Sequence, residues 1–127
     1  MKTLLIVDDE PAIARIVVKV ATSCGYRVTT SATAEQFKDE LAAAAPDVVV
    51  LDLSLPTADG VELLRFMADR QCRARILIIS GFDSRVLETA GKLGAALGLS
   101  IAGTLSKPVR IADLRAALDR IEPQAQS

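Results

Sequence analysis

Leu4-Leu5-Ile6-Val7-Asp8-Asp9-Glu10-Pro11 is the stretch on which the fold turns. An unbroken apolar run ends in adjacent carboxylates, and a proline follows where a helix can begin. Continuous rather than alternating hydrophobicity marks a strand covered on both faces, as in a parallel sheet flanked by helices. Asp8 and Asp9 then fall at the carboxyl end of that strand, where open α/β sheets place their ligands. Two further runs repeat the pattern, Asp47-Val48-Val49-Val50-Leu51-Asp52 and Ile76-Leu77-Ile78-Ile79-Ser80. A fourth tract closes on Lys107-Pro108. Three carboxylates, one hydroxyl and one ammonium therefore stand at equivalent strand ends. Together they mark a site.

Outward from these runs the chain alternates strand and helix. Strands are expected over residues 3–8, 26–30, 47–52, 75–80 and 101–105. Pro11 suits the first position of a helix carrying Ile13, Ile16, Val17, Val20 and Cys24 on one side, with Gly25 as its stop. Thr33 with Gln36 resembles a capping box opening a second helix, which buries Phe37, Leu41 and Ala44 or Ala45 before Pro46 ends it. Turn chemistry at Leu55-Pro56-Thr57-Ala58-Asp59-Gly60 leads into a third helix with Val61, Leu64 and Met67 inward. A fourth helix over residues 83–97 places Val86, Ala90, Leu93 and Leu97 on one stripe. Gly91 and Gly94 inside it each cost about 1 kcal/mol against alanine. The last helix, residues 110–121, turns Ile111, Leu114, Leu118 and Ile121 inward, and Pro123 to Ser127 reads as a tail or the start of a linker.

Five β–α units imply a parallel sheet with right-handed crossovers and helices on both faces. The short, polar second strand suits an edge, which selects the order 2-1-3-4-5. The first and third strands then lie side by side at the switch point, where Asp8, Asp9 and Asp52 meet.

Bulk properties narrow the function. A chain of 127 residues suits one domain. With half its residues hydrophobic but only 3% aromatic, it has the aliphatic interior of an α/β protein. A formal charge of -1 without a basic run argues against nucleic-acid binding. No apolar segment approaches a membrane span, and there is no signal-peptide pattern. Cys24 and Cys72 lack metal-ligand spacing and have no histidine to help them, so both read as small structural residues of a reducing cytoplasm.

Val7-Asp8-Asp9-Glu10-Pro11, Asp52-Leu53-Ser54-Leu55-Pro56 with Asp59-Gly60, Ser80-Gly81 and Lys107-Pro108, in this order, resemble the receiver domain of two-component response regulators. The resemblance covers residues 1–122 and implies a flavodoxin-like doubly wound sheet of five strands and five helices. It implies that Asp52 accepts a phosphoryl group from a histidine kinase or phosphotransfer protein. Asp8, Asp9, Asp52 and the Ser54 backbone carbonyl would hold Mg²⁺. Ser80 and Lys107 would contact the phosphoryl oxygens, and Lys107-Pro108 would be cis. The change would pass through the fourth helix, fifth strand and fifth helix to an effector. Ala102-Gly103-Thr104-Leu105-Ser106-Lys107-Pro108 resembles receivers that precede cyclic-di-GMP phosphodiesterase domains.

The chemistry of the residues agrees. Three carboxylates and one lysine leave a charge deficit that a divalent cation neutralises, and Mg²⁺ takes oxygen ligands. A carboxylate can attack phosphorus to give a mixed anhydride, with cations on the phosphoryl oxygens. Rival readings each lack a part. Phosphatases of the haloacid dehalogenase type need a second aspartate two residues after the nucleophile, where this chain has Ser54. A flavodoxin-like cofactor binder needs a phosphate-cradling loop after the first strand, and none follows. The remaining alternative is a phosphorylation-independent docking module, a pseudo-receiver, which the intact acidic set argues against but leaves open.

Two departures from the family shape further expectations. Thr104 stands three positions before Lys107, where receivers usually carry an aromatic ring, so switching is expected to fall on residues 82–100. Phe82, two residues beyond Ser80, cannot orient water by hydrogen bonding, so a long-lived phosphoryl group is expected.

Overall fold

The computed structural model describes residues 2–55, 60–81 and 83–121. The elements are β1 (Lys2–Val7), α1 (Pro11–Ser23), β2 (Tyr26–Ser31), α2 (Ala34–Ala43), β3 (Val48–Asp52), α3 (Gly60–Asp69), β4 (Arg75–Ser80), α4 (Ser84–Ala96), β5 (Ser100–Ser106) and α5 (Ile111–Asp119). The sheet is parallel in the order β2-β1-β3-β4-β5. The expected fold and strand order are therefore both present. Pro56 to Asp59 of the expected turn, Phe82 and the tail at 123–127 lie outside the described residues.

β3 explains the architecture. All five of its residues are buried, and alternate side chains feed two cores. Val49 and Leu51 pack with Phe37, Leu63, Met67 and Leu87 beneath α2, α3 and α4. Val48 and Val50 pack with Val17, Val20, Leu114 and Leu118 beneath α1 and α5. Each large aliphatic buried this way contributes about 1.5–3 kcal/mol of hydrophobic stabilisation, so the unbroken runs fix the centre of the sheet. β2, with three exposed positions of six, takes the edge.

A variant of the capping box forms at α2, with Gln36 reaching one residue beyond the N-cap Thr33. Thr33 Oγ1 accepts the Gln36 N–H at 3.1 Å, and Gln36 Oε1 accepts the Ala32 N–H at 2.8 Å. The helix stops earlier than its alanines suggest. Ala44 is extended (φ -149°, ψ 153°), and Ala44 and Ala45 are exposed rather than buried. Pro46 cannot continue a helix and restricts Ala45 before it, and the chain has already left the helix one residue earlier, at Ala44.

The stripe of α4 also differs. Leu87, Ala90 and Gly94 face the sheet, whereas Val86 is 44% exposed and Leu93 and Leu97 are half-buried. Gly94 makes room for this packing. A Cβ there would lie 2.6 Å from Ile101 Cδ1, so the helix backbone rests directly on β5. Its glycine is a packing residue as well as a cost to helix propensity. In α5, Ile111 is 49% exposed because Val109, just before the helix, fills the buried place instead.

Gly60 meets a harder constraint. A Cβ there would come 2.8 Å from Leu53 Cα and 2.5 Å from Leu53 Cδ2, against the segment that follows Asp52. Helix propensity alone favours alanine by about 1 kcal/mol. Overpacking against backbone opposes it by about 1–3 kcal/mol. Gly60→Ala is therefore expected to lower stability in urea denaturation, and an unchanged or raised midpoint would show that Leu53 yields freely.

Candidate functional site

Strand register assembles the site. Val7 pairs with Leu51, so Asp8 and Asp52, each one residue further on, are level at the carboxyl edge of the sheet. Ser80 pairs with Ser106, which brings Lys107 to the same edge. The Lys107 N–H donates to the Ser80 carbonyl at 2.8 Å, and the Lys107-Pro108 peptide is cis. Asp8, Asp52 and Ser80 are buried, with relative exposures of 3%, 0% and 0%.

Asp52 is held from two sides. Its Oδ1 accepts the Ser54 N–H at 2.9 Å and the Ser54 hydroxyl at 3.0 Å. Its Oδ2 accepts from Lys107 Nζ at 3.2 Å. Asp8 Oδ1 accepts the Glu10 N–H at 2.9 Å, closing a turn that starts α1. Asp8 Oδ2 is buried and accepts no hydrogen bond, with Lys107 Nζ at 3.4 Å as its ion-pair partner. The third carboxylate on the lysine is Glu10.

Asp8, Glu10 and Asp52 carry carboxylate oxygens that lie within 4.8 Å of one another. Asp9 is exposed and is not one of these three. Sequence reading gave Glu10 no role. Its signal was a glutamate at a helix N-cap, where Ser, Thr, Asp or Asn would satisfy the free N–H groups better.

The electrostatics follow from burial. Three carboxylates and one ammonium leave two formal negative charges uncompensated. Burial pushes the Asp8 carboxyl up to about 6; the Glu10 N–H and Lys107 pull against this, while Asp52 adds to it. Burial alone would lower the Lys107 ammonium, but Glu10, Asp52 and Asp8 outweigh it and hold the group above the ordinary lysine range.

A raised carboxyl means that the folded state binds the proton more tightly than the unfolded one. Asp8 therefore favours the fold most below its unfolded value of 3.8, and that contribution is lost as pH rises to about 6. The span corresponds to about 3 kcal/mol. Asp8→Asn should gain about that much stability relative to the unsubstituted protein between pH 4 and pH 7, in denaturation without divalent cations. A difference that stays flat over this window would show that Asp8 is not strained.

Comparison with known proteins gives the family. The response regulator receiver domain profile matches residues 4–119. The regulatory protein VirG of Agrobacterium tumefaciens (strain 15955) is 37% identical over 125 residues, which is 97% of this chain and 45% of that protein. The KDP operon transcriptional regulatory protein KdpE of Escherichia coli (strain K12) is 37% identical over 118 residues, 93% of this chain and 50% of that protein. The chain thus spans about half the length of these relatives. The chemotaxis response regulator CheY4 of Vibrio cholerae has a TM-score of 0.81 at 27% identity, covering 94% of this chain and 98% of that one. Residues 4–119 hold all the strand ends of the site, and the chain belongs to the response regulator receiver domain family.

Proposed function

We propose that Asp52 is the phosphoacceptor of a signalling receiver, taking its phosphoryl group from a histidine kinase or phosphotransfer protein. The observation that carries this reading is a fully buried carboxylate at the central strand end whose Oδ2 faces the half-buried Lys107. Attack by an Asp52 carboxylate oxygen forms the new O–P bond as the P–N bond to the donor imidazole breaks, and the imidazole leaves with the electron pair. Ser54 orients the carboxylate through its two hydrogen bonds to Oδ1. Lys107 supplies a fixed positive charge for the phosphoryl oxygens, and Ser80, at the end of β4, a hydroxyl.

The residues fit a hard divalent cation. Asp8 Oδ2 is a buried oxygen with no hydrogen bond, and the donor set is entirely oxygen. Asp8, Asp9, Asp52 and the Ser54 carbonyl would hold it. Mg²⁺, when bound, supplies positive charge against the phosphoryl oxygens.

The reading extends to residues 1–122 as the domain, 123–127 as tail or linker, and a cytoplasmic place. Among the described residues no helix is long and apolar enough to cross a membrane. Output would pass through α4, β5 and α5. Its nature depends on a partner or effector domain; the name of KdpE supports a transcriptional effector more than a cyclic-di-GMP phosphodiesterase.

The test is intact mass after incubation with acetyl phosphate, with Mg²⁺ and with chelator. Gain of one phosphoryl group only with Mg²⁺ supports the reading. No gain in either condition overturns it in favour of a docking module.

A further inference from the structure

Glu10 sits where a helix needs a cap and does not provide one. It is the N-cap of α1 (φ -92°, ψ 109°), its side chain caps no N–H, and Pro11 follows as the first helical residue. Its backbone is pinned by Asp8 Oδ1, at 2.9 Å from the Glu10 N–H. The side chain, 55% exposed, instead reaches over the sheet edge to Lys107 Nζ. Among the described residues the lysine makes three ion-pair contacts, and this is the closest of them. The other two, to Asp8 and Asp52, lie on fully buried carboxylates.

We infer that Glu10 is a positioning residue that holds Lys107 in a parked state at the rim of the site and sets how readily the lysine transfers to a phosphoryl group on Asp52. The inference rests on the reading of Asp52 as phosphoacceptor. An ammonium has three N–H donors; hydrogen bonds to Glu10 and Asp52 take two of them, and Asp8 Oδ2 stands at ion-pair distance without one. A phosphoryl group on Asp52 draws on the same ammonium, and each contact that still holds Nζ at a carboxylate opposes its movement toward the phosphoryl oxygens. Of the two carboxylates that remain free once Asp52 carries the phosphoryl group, Asp8 cannot recover water on release, because it is buried. Glu10 can, because its carboxylate is already half in solvent. Glu10 is thus the contact that can be exchanged, and its strength biases the exchange.

The competing role is that of a cation ligand, since its oxygen lies with those of Asp8 and Asp52. The two roles predict opposite effects on one quantity. Removing a parking contact strengthens binding of a phosphoryl mimic once the cation is saturating. Removing a ligand weakens it.

The test uses the full chain as wild type, Glu10→Gln and Glu10→Asp, with beryllofluoride binding at saturating Mg²⁺ followed by ¹⁹F NMR and Mg²⁺ affinity by calorimetry. Glu10→Gln is expected to bind beryllofluoride roughly fivefold more tightly, the upper range for a partly exposed ion pair. Glu10→Asp keeps the charge but is one methylene shorter, and is expected to behave like Gln for beryllofluoride. Its Mg²⁺ affinity should match wild type, which separates reach from charge. Unchanged or weaker beryllofluoride binding in both variants, with a complex still formed by the wild type, overturns the parking role alone. No beryllofluoride complex in the wild type overturns the phosphoacceptor reading, and the inference with it.

Discussion

Asp52→Asn is expected to take up no phosphoryl group from acetyl phosphate under conditions that label the unsubstituted protein fully, and to fold at least as stably. The loss should be complete, because an amide oxygen is a poor nucleophile and no other described carboxylate combines its position and its support. Asp8 is also buried at the sheet edge, but its Oδ1 is committed to the turn at Glu10, whereas Asp52 is oriented by both donors of Ser54. Stability should be kept because the substitution removes one of three clustered negative charges. A buried carboxylate held among like charges is costly unless it is paired. The checks are intact mass and a urea midpoint measured without divalent cation. Label persisting in the Asn variant would move the acceptor elsewhere, and a collapse in midpoint would mean that Asp52 mainly serves to pair Lys107.

The sheet was legible because burial on both faces leaves unbroken apolar runs, and Val48 to Leu51 could be little else. The site was legible for the same reason, since register carries Asp8, Asp52, Ser80 and Lys107 to one edge. What escaped depended on tertiary detail. The face that α4 turns to the sheet includes Gly94, where Ile101 fills the space a side chain would take, and no apolar periodicity encodes a missing methyl group. Ile111 has the right spacing for burial, but Val109 reaches the core first. Nothing local marks the partner of Glu10, since Lys107 is 97 residues away in sequence. Of the adjacent aspartates beyond β1, Asp8 is buried, with its Oδ1 tied to the Glu10 N–H, and Asp9 is exposed.

Lys107→Met should show how much of the metal-free fold depends on one ammonium. Nζ lies 3.4 Å from Asp8 Oδ2 and 3.2 Å from Asp52 Oδ2, and the lysine side chain is only 11% exposed. Methionine keeps most of the volume, so the loss is electrostatic. Removing one partner from a buried ion pair costs about 3–5 kcal/mol. Protonation limits that cost. Asp8 already sits at about 6 with the lysine present. Without the lysine its carboxyl rises further, so the variant can escape the repulsion by binding a proton. The deficit against the unsubstituted protein is therefore expected to be small near pH 5 and to widen toward about 3–5 kcal/mol by pH 8. A cation held by the same carboxylates offers a second escape, worth RT ln(1 + [L]/Kd), so saturating Mg²⁺ should narrow the gap at pH 8. Denaturation of both proteins at pH 5 and pH 8, with and without Mg²⁺, gives the full comparison. A deficit independent of both pH and Mg²⁺ would assign the role of Lys107 to packing of its alkyl chain instead of to charge.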